Sequence, residues 1–544
     1  MPRPAARRRR LASLLAVAAA GALVLGGCTR GADPGASDGG GQETGGETAT
    51  ASGGPGLTAV GASRAADLPA DPATDPAYAA YYAQEIEWGE CEQANDPRKE
   101  CGTLTVPRLW DDPSAGDLEI AVARIPATGD GGKALVMNPG GPGASGTDYV
   151  DTMATLVSPQ VMETYDQVGF DPRGVNGSEG LDCLSDAETD AYRADTLTAT
   201  DPAEIRAGVL EGAERLAAGC EADDAELLPA LDTASVARDM DVLRAALGQE
   251  KLDYFGYSYG TFLGALYAEQ QPGRVGHMVL DGAVDPTLTL DEYAAGQADG
   301  FRRALDAFLA SCLAAGTDCP FEGDADAALQ QLADLLADID AEPLPTSDPD
   351  RPLTGALARS ALMSLMYSDS LWEFGRSALA DAADGDGTQL LTFADQSAQR
   401  RSDGSYRTNS NEVMSAISCL DRPAVADPAW QDERAAELAA ADPVFGPGFA
   451  HSGTACSVWP VPPLRESAPI SAAGAGPILV LGTTGDPATP YAWSESLAGQ
   501  LEGGVLLTFE ANGHTAYGRS GGCIEQHVDR YLLDAAVPEE GTVC

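Results

Sequence analysis

Leu252 to Gly273 reads LDYFGYSYGTFLGALYAEQQPG, and few folds can use such a stretch. LDYFGY has the makeup of a buried strand. TFLGALYAEQQPG has the makeup of a helix stopped by Pro272 and Gly273. Almost nothing separates the two, so the chain must leave a strand and enter a helix within a residue or two. Small residues at Gly256 and Gly260 let the elements approach closely, and Ser258 between them takes strained backbone angles. The helix that follows points its positive end at Ser258 and favours negative charge there. The bare G-x-S-x-G pattern says little, because a chain with 62 glycines also shows it around Ser37 and Ser520. Ser37 lies in a Gly/Ser/Thr-rich stretch and Ser520 in a Gly-rich loop with no strand before it. Only Ser258 has the strand and the helix.

The surrounding pattern is of the same kind. KALVMNPGG (133–141) and YDQVGFDPRG (165–174) read as strands running into turns, and DTASVARDMDVLRAALG (232–248) as a helix. HMVLDG (277–282) is a further strand. Strands alternating with helices indicate a mostly parallel α/β sheet. From about 287 to 470 the chain turns Ala- and Leu-rich and helical, with Asp/Pro interruptions. Strands return in PILVLGTTGD (477–486) and GVLLTFEANGH (504–514), and CIEQHVDRYLLD closes as a helix. One sheet domain, 76–286 and 471–544, is thus expected to be interrupted by a helical insertion, 287–470.

A serine nucleophile needs a base, and the chain has 4 histidines. His277 opens an apolar strand and His527 sits within the last helix. His514 follows a strand in the loop EANGHTAYG and is the first choice; His451, in the insertion, is the alternative. The base needs an acid to fix its tautomer and stabilise the imidazolium. Asp486 ends the strand before His514, where Thr489 serves the turn or hydrogen-bonds the acid loop; Asp281 and Asp285 are rivals that also suit turn formation and helix capping. The chain order Ser258, Asp486, His514 suits an acyl-transfer triad. Developing oxyanion charge calls for backbone N–H donors. These are expected from Tyr259, directly after the serine, and from NPGGPGASG (138–146), where Gly141 is preferred and Gly140 comes next.

The ends and the charge bound the setting. Arg7 to Arg10 followed by an apolar run of 16 residues, Leu11 to Gly26, has the form of a signal peptide over 1–27. The run ends in LGGC, which resembles a lipobox and makes Cys28 the lipidation candidate; the arginines also leave twin-arginine export open. Residues 28–75 carry almost no large apolar side chains and are expected to be a flexible tether, which removes Ser37 from contention. Of the 11 cysteines, ten remain after Cys28. They fall into sequence neighbours, Cys91 with Cys101, Cys183 with Cys220, Cys312 with Cys319, Cys419 with Cys456 and Cys523 with Cys544. Five such disulfides are expected in an oxidising compartment, although sequence alone does not fix connectivity. No His/Cys cluster has metal spacing, so neither a metal nor a cofactor is expected. A net charge of −50 argues against a nucleic-acid partner.

NPGGPGASG, VGFDPRGVNGS, FGYSYGT, GTTGDPATP and NGHTAYG, in that order, resemble the secreted tripeptidyl aminopeptidases. These are relatives of the proline iminopeptidases among the α/β hydrolases. CGTLTVPRLWDD (101–112) and AISCLD (416–421) are similar to the same branch, so the resemblance spans about 88 to 544. Pro139 stands where proline iminopeptidases have a histidine, as in the tripeptidyl branch. The resemblance implies an α/β-hydrolase fold with a large helical lid inserted before the last two core strands. It implies a triad on Ser258, Asp486 and His514, and release of short peptides from free N-termini. An exopeptidase must also recognise the substrate ammonium, and Asp421, at the end of AISCLD, is the candidate for that contact. The expected setting is export, with a lipid anchor to the outer face of the cell membrane or a released form. An esterase, lipase or endoprotease of the same fold, and a non-catalytic peptide-binding lipoprotein, are the competing readings.

Overall fold

A computed structural model of the chain describes residues 71–544 apart from 93, 197, 198 and 200. The signal peptide (1–27), Cys28, Ser37 and residues 29–70 of the expected tether lie outside the described residues. Residues 71–75 are described and are built onto the domain: Asp71 accepts from Ala73 N and pairs with Arg274.

Short apolar runs become strands. β1 (Gly89–Glu90), β2 (Glu100–Leu109) and β3 (Asp112–Ile125) are antiparallel and form one edge of the sheet. β4 (Lys133–Asn138), β5 (Tyr165–Phe170), β6 (Leu252–Tyr257), β7 (Val275–Asp281), β8 (Ile478–Gly485) and β9 (Gly504–Asn512) pair in parallel. The order is β1-β2-β3-β5-β4-β6-β7-β8-β9. Successive strand residues enter opposite cores: Val136, Tyr254, Leu280 and Val480 pack on one face, and Leu135, Phe255, Val279 and Leu479 on the other. Both faces are covered, which is why these strands read as continuous apolar runs. Each such side chain contributes roughly 1.5–3 kcal/mol. This is the α/β-hydrolase fold. Because the chain moves outward from β4 to β5 and returns to β6 on the other side, the winding reverses between β4 and β6. The loops leaving those two strands therefore stand at the topological switch point, the place where α/β sheets bind ligands.

Between β7 and β8 the described residues hold helices and no sheet strand. The first of these, Leu290–Ala314, starts at a capping box of Thr289 and Glu292. Helices from there to Ser397, with Val444 and Phe445, share a separate core built on Phe301, Phe308, Leu332, Leu362 and Leu379. The helix Ser410–Asp421 behaves differently. Its Val413, Ala416, Ile417 and Leu420 pack into the main core with Trp459 and Ile470. The insertion is therefore anchored to the sheet domain through its later part.

All five disulfides join the expected neighbours: Cys91–Cys101, Cys183–Cys220, Cys312–Cys319, Cys419–Cys456 and Cys523–Cys544. The third and fourth stay within the insertion.

The turn FDPRG after β5 is pinned by its two charges. Asp171 accepts from Ser145 Oγ at 2.6 Å, Thr147 N at 3.0 Å and Gly177 N at 3.2 Å, which ties this turn to the 138–146 loop. Arg173, 1% exposed, forks onto Asp239 at 2.6 and 2.7 Å and donates to the carbonyls of Pro107, Arg108 and Ala230. Arg173→Leu would strand the Asp239 carboxylate in the core. We expect a loss of about 3–5 kcal/mol, read as a lower urea midpoint.

Candidate active site

Ser258 has φ +54° and ψ −123°, a conformation that non-glycine residues seldom hold. The local sequence enforces it. A Cβ on Gly256 would lie 2.3 Å from Gly260 O, and a Cβ on Gly260 would lie 2.8 Å from Asn138 O at the end of β4. Only glycines let β6 fold back into the helix Tyr259–Gln270 while β4 closes in beside them. Ser258 N donates to Asp281 O at 2.9 Å, and Thr261 Oγ1 donates to Ser258 O at 2.6 Å. Tyr257 and Tyr259 are buried, whereas Ser258 keeps partial exposure.

The glycine loop after β4 lies against this turn. A Cβ on Gly140 would meet Tyr257 O at 2.6 Å, Ser258 Cβ at 3.0 Å and Tyr259 N at 3.2 Å. Gly140 N is already committed to Asn138 Oδ1 at 2.9 Å. The next amide, Gly141, stays the loop's candidate donor, and Tyr259 N is the first amide of the helix. Tyr259 N stands at the positive end of the helix dipole.

Asp486 and His514 meet at the ends of β8 and β9. His514 Nδ1 lies 2.9 Å from Asp486 Oδ1 and 3.0 Å from Oδ2. Asp486, 2% exposed, also accepts from Ala488 N, Thr489 N and Thr515 N at 2.8–3.0 Å. Thr489 Oγ1 sits 3.3 Å from His514 Nδ1. An acid held this way accepts a hydrogen bond from Nδ1–H, which fixes the proton on Nδ1 and leaves Nε2 as a basic acceptor. Ser258 and His514 flank the Asp281–Gly282 step. Ser258 N bonds Asp281 O at 2.9 Å, and His514 Cε1 lies 3.3 Å from where a Cβ on Gly282 would be. Among the described residues no hydrogen bond joins the Ser258 hydroxyl to His514; such contacts commonly tighten only with substrate bound.

The rivals are engaged elsewhere. Asp281 is fully buried, and its carboxylate accepts from Ala516 N and Tyr517 N at 2.8 Å, just past His514. Burial pushes its carboxyl up to about 7, against the pull of those two amides. Asp285 takes Thr287 N and Gln500 Nε2 in a turn. His451 lies 3.4 Å from Thr454 Oγ1 inside the insertion, and burial lowers its pKa. His277 pairs with Asp253, and Ser520 Oγ caps Ile524 N at the last helix. Cys523, His527 and Cys544 converge, but the two sulfurs form a disulfide and offer no thiolate to a metal.

Asp421, expected at the substrate ammonium, is turned away from any such contact. It is 0% exposed, with its oxygens taken by Thr233 N at 2.9 Å and by Thr233 Oγ1. A substrate ammonium cannot reach it. The helix Ser410–Asp421 ends with that side chain turned into the main core.

Tyr367 carries no sequence signal of its own. It comes from the insertion, accepts His514 N at 2.9 Å and sets its ring edge-on to the imidazole at 5.2 Å. The helical insertion thus covers the histidine and places it as a lid would.

A family described as "TAP-like protein" matches residues 442–544, the part that contains Asp486 and His514. "Serine protease Hip1" of Mycobacterium tuberculosis is 38% identical, covering 85% of this chain and 91% of that protein. "Carboxylesterase B" of the same species is 36% identical over 85% of this chain and 90% of its own length. "Tripeptidyl aminopeptidase" of Streptomyces coelicolor is 31% identical over 84% of this chain and 86% of that one.

Proposed function

This chain belongs to the tripeptidyl-aminopeptidase-like family of α/β-hydrolase serine peptidases, and from that premise we propose that it is an exported aminopeptidase releasing short peptides, tripeptides foremost, from free N-termini. The observation that carries the reading is the Asp486–His514 pair held beside an elbow serine on which the glycine loop closes. Ser258 Oγ attacks the scissile carbonyl while His514 Nε2 takes its proton. Tyr259 N–H and Gly141 N–H receive the oxyanion. His514 then gives the proton to the leaving amine, and a water activated by the same imidazole hydrolyses the Ser258 ester. Asp486 holds the imidazole in the required tautomer throughout, and Thr489 keeps the pair aligned.

Export and a lipid anchor at Cys28 rest on the N-terminal sequence, and five disulfides suit an oxidising compartment. The substrate is a peptide with a free N-terminus; the net charge of −50 suits a cationic end and repels nucleic acid.

The test compares a tripeptide anilide with its N-acetylated form. The free form should show kcat/KM at least about tenfold higher, the discrimination expected from one charge-recognising contact. Equal turnover of both would defeat the exopeptidase reading. A relative named "Carboxylesterase B" supports a second reading. Turnover of acyl esters with no peptide cleavage would favour it.

A further inference from the structure

The helix Ser410–Asp421 touches both walls of the oxyanion site. At its first residue, a Cβ on Gly143 would meet Ser410 Cα at 3.2 Å, so the helix end lies directly against the glycine loop. At its last residue, Asp421 takes Thr233 N at 2.9 Å and the Thr233 hydroxyl. The same hydroxyl bonds the Tyr259 phenol. Because Thr233 gives its only hydroxyl proton to the carboxylate, the Tyr259 O–H must donate to Thr233 Oγ1. The direction is therefore fixed: Tyr259 to Thr233 to Asp421, all buried. Tyr259 is also the residue whose backbone N–H opens the elbow helix.

Both ends of this helix are bolted to other elements. Asn409, just before it, donates from Nδ2 to Gly174 O and Leu181 O at 2.9 Å. Glu412 accepts from Cys183 N at 2.8 Å. Near the other end, Cys419 is bridged to Cys456, and Leu464 N donates to Leu420 O at 2.8 Å. Arg422 and Arg465 stack on the Phe262 ring, one turn after Tyr259, at 4.7 and 4.8 Å. A single segment of the insertion thus meets the glycine loop at one end and the elbow helix at the other.

We propose that the helix Ser410–Asp421 braces the oxyanion hole from both sides, with Asp421 and Thr233 acting as positioning residues that hold Tyr259, and hence its amide, at the transition-state oxygen. The inference rests on the proposed acyl-transfer chemistry at Ser258. It explains a fully buried carboxylate that the triad does not use. A donor displaced from its position stabilises the tetrahedral state less, yet it hardly touches the ground-state peptide.

The experiment compares wild type, Tyr259→Phe, Thr233→Val, Thr233→Ser, Asp421→Asn and the double variant Tyr259→Phe/Asp421→Asn. Three quantities are read: kcat, KM, and affinity for a peptidyl trifluoromethyl ketone, whose hemiketal places an oxyanion at the site. Tyr259→Phe removes one hydroxyl and nothing else, so it keeps a folded variant in the set. Tyr259→Phe, Thr233→Val and Asp421→Asn should each lower kcat about tenfold, less than the loss of a whole oxyanion donor, with KM unchanged and ketone affinity falling in step. Thr233→Ser should restore kcat to within about twofold, and the double variant should be no worse than either single one, because the residues act as one unit. Unchanged kcat in Tyr259→Phe, or multiplying effects in the double variant, would overturn the inference. So would a raised KM with intact kcat in Asp421→Asn, which would return that residue to amine binding. Failure of wild type itself to form the ketone adduct would instead remove the acyl-transfer reading beneath it.

Discussion

Ser258→Ala should lower kcat by at least about 10⁴-fold and leave peptide binding intact, since the nucleophile and its base act as one unit and only the oxyanion donors remain. The substitution is structurally mild. Ser258 bonds its neighbours through its backbone, with N donating to Asp281 O and O accepting from Thr261, so alanine keeps those contacts. Its strained φ of +54° is supplied by the strand and helix around it rather than by the hydroxyl. The two other G-x-S-x-G serines serve as internal controls. Ser37→Ala should leave kcat at the wild-type value. Ser520→Ala removes the cap on Ile524 N and should cost about 1 kcal/mol of stability without changing kcat. Labelling by a fluorophosphonate, followed by burst titration, reads all three. Loss of label at Ser258 alone is the expected result. Wild type that folds but never labels would revive the non-catalytic binding reading.

Much of this arrangement is legible in the sequence. The strand-to-helix turn at Ser258, the glycine loop, and the order of serine, acid and histidine are local patterns, each set by residues within a few positions of one another. The insertion announces itself by a change of periodicity, and the disulfides by closeness in sequence. What stays hidden depends on contacts between residues far apart in the chain. Asp281 and Asp486 look equivalent in sequence, since each stands at the C-terminal end of a parallel strand in an apolar run. Packing separates them: one receives the imidazole, the other the amides beyond it. Asp421 closes an amphipathic helix, and nothing local reveals that the carboxylate itself enters the core beside Thr233. Tyr367 is one tyrosine among 16, placed over His514 only by the way the lid helices stack.

The equivalence of those two strand-end acids leads to a paired test. Asp486→Asn should cut kcat on the order of 10⁴-fold with little change in KM, because an amide facing His514 Nδ1 favours the wrong tautomer and cannot stabilise an imidazolium. Asp281→Asn should be far milder in kcat, about tenfold. Asparagine keeps one acceptor for the Ala516 and Tyr517 amides and loosens, without removing, the loop that carries His514. The two variants also part company in their response to pH. Burial raises the Asp281 carboxyl to about 7 in the folded chain, whereas an unfolded aspartate titrates near about 4. The folded state therefore favours protonated Asp281. Its share of stability is complete below about pH 4 and is lost as pH rises through about 7. Asp281→Asn removes that loss, so the drop in urea midpoint between pH 5 and pH 8 should shrink relative to wild type. Asp486→Asn removes only the smaller push of the Asp486 charge and leaves the burial of Asp281, so it should keep most of this drop while turnover collapses. If the magnitudes came out reversed, with Asp281→Asn silencing turnover and Asp486→Asn tolerated, the acid would have to be moved to the end of β7 and the His514 loop re-read around it.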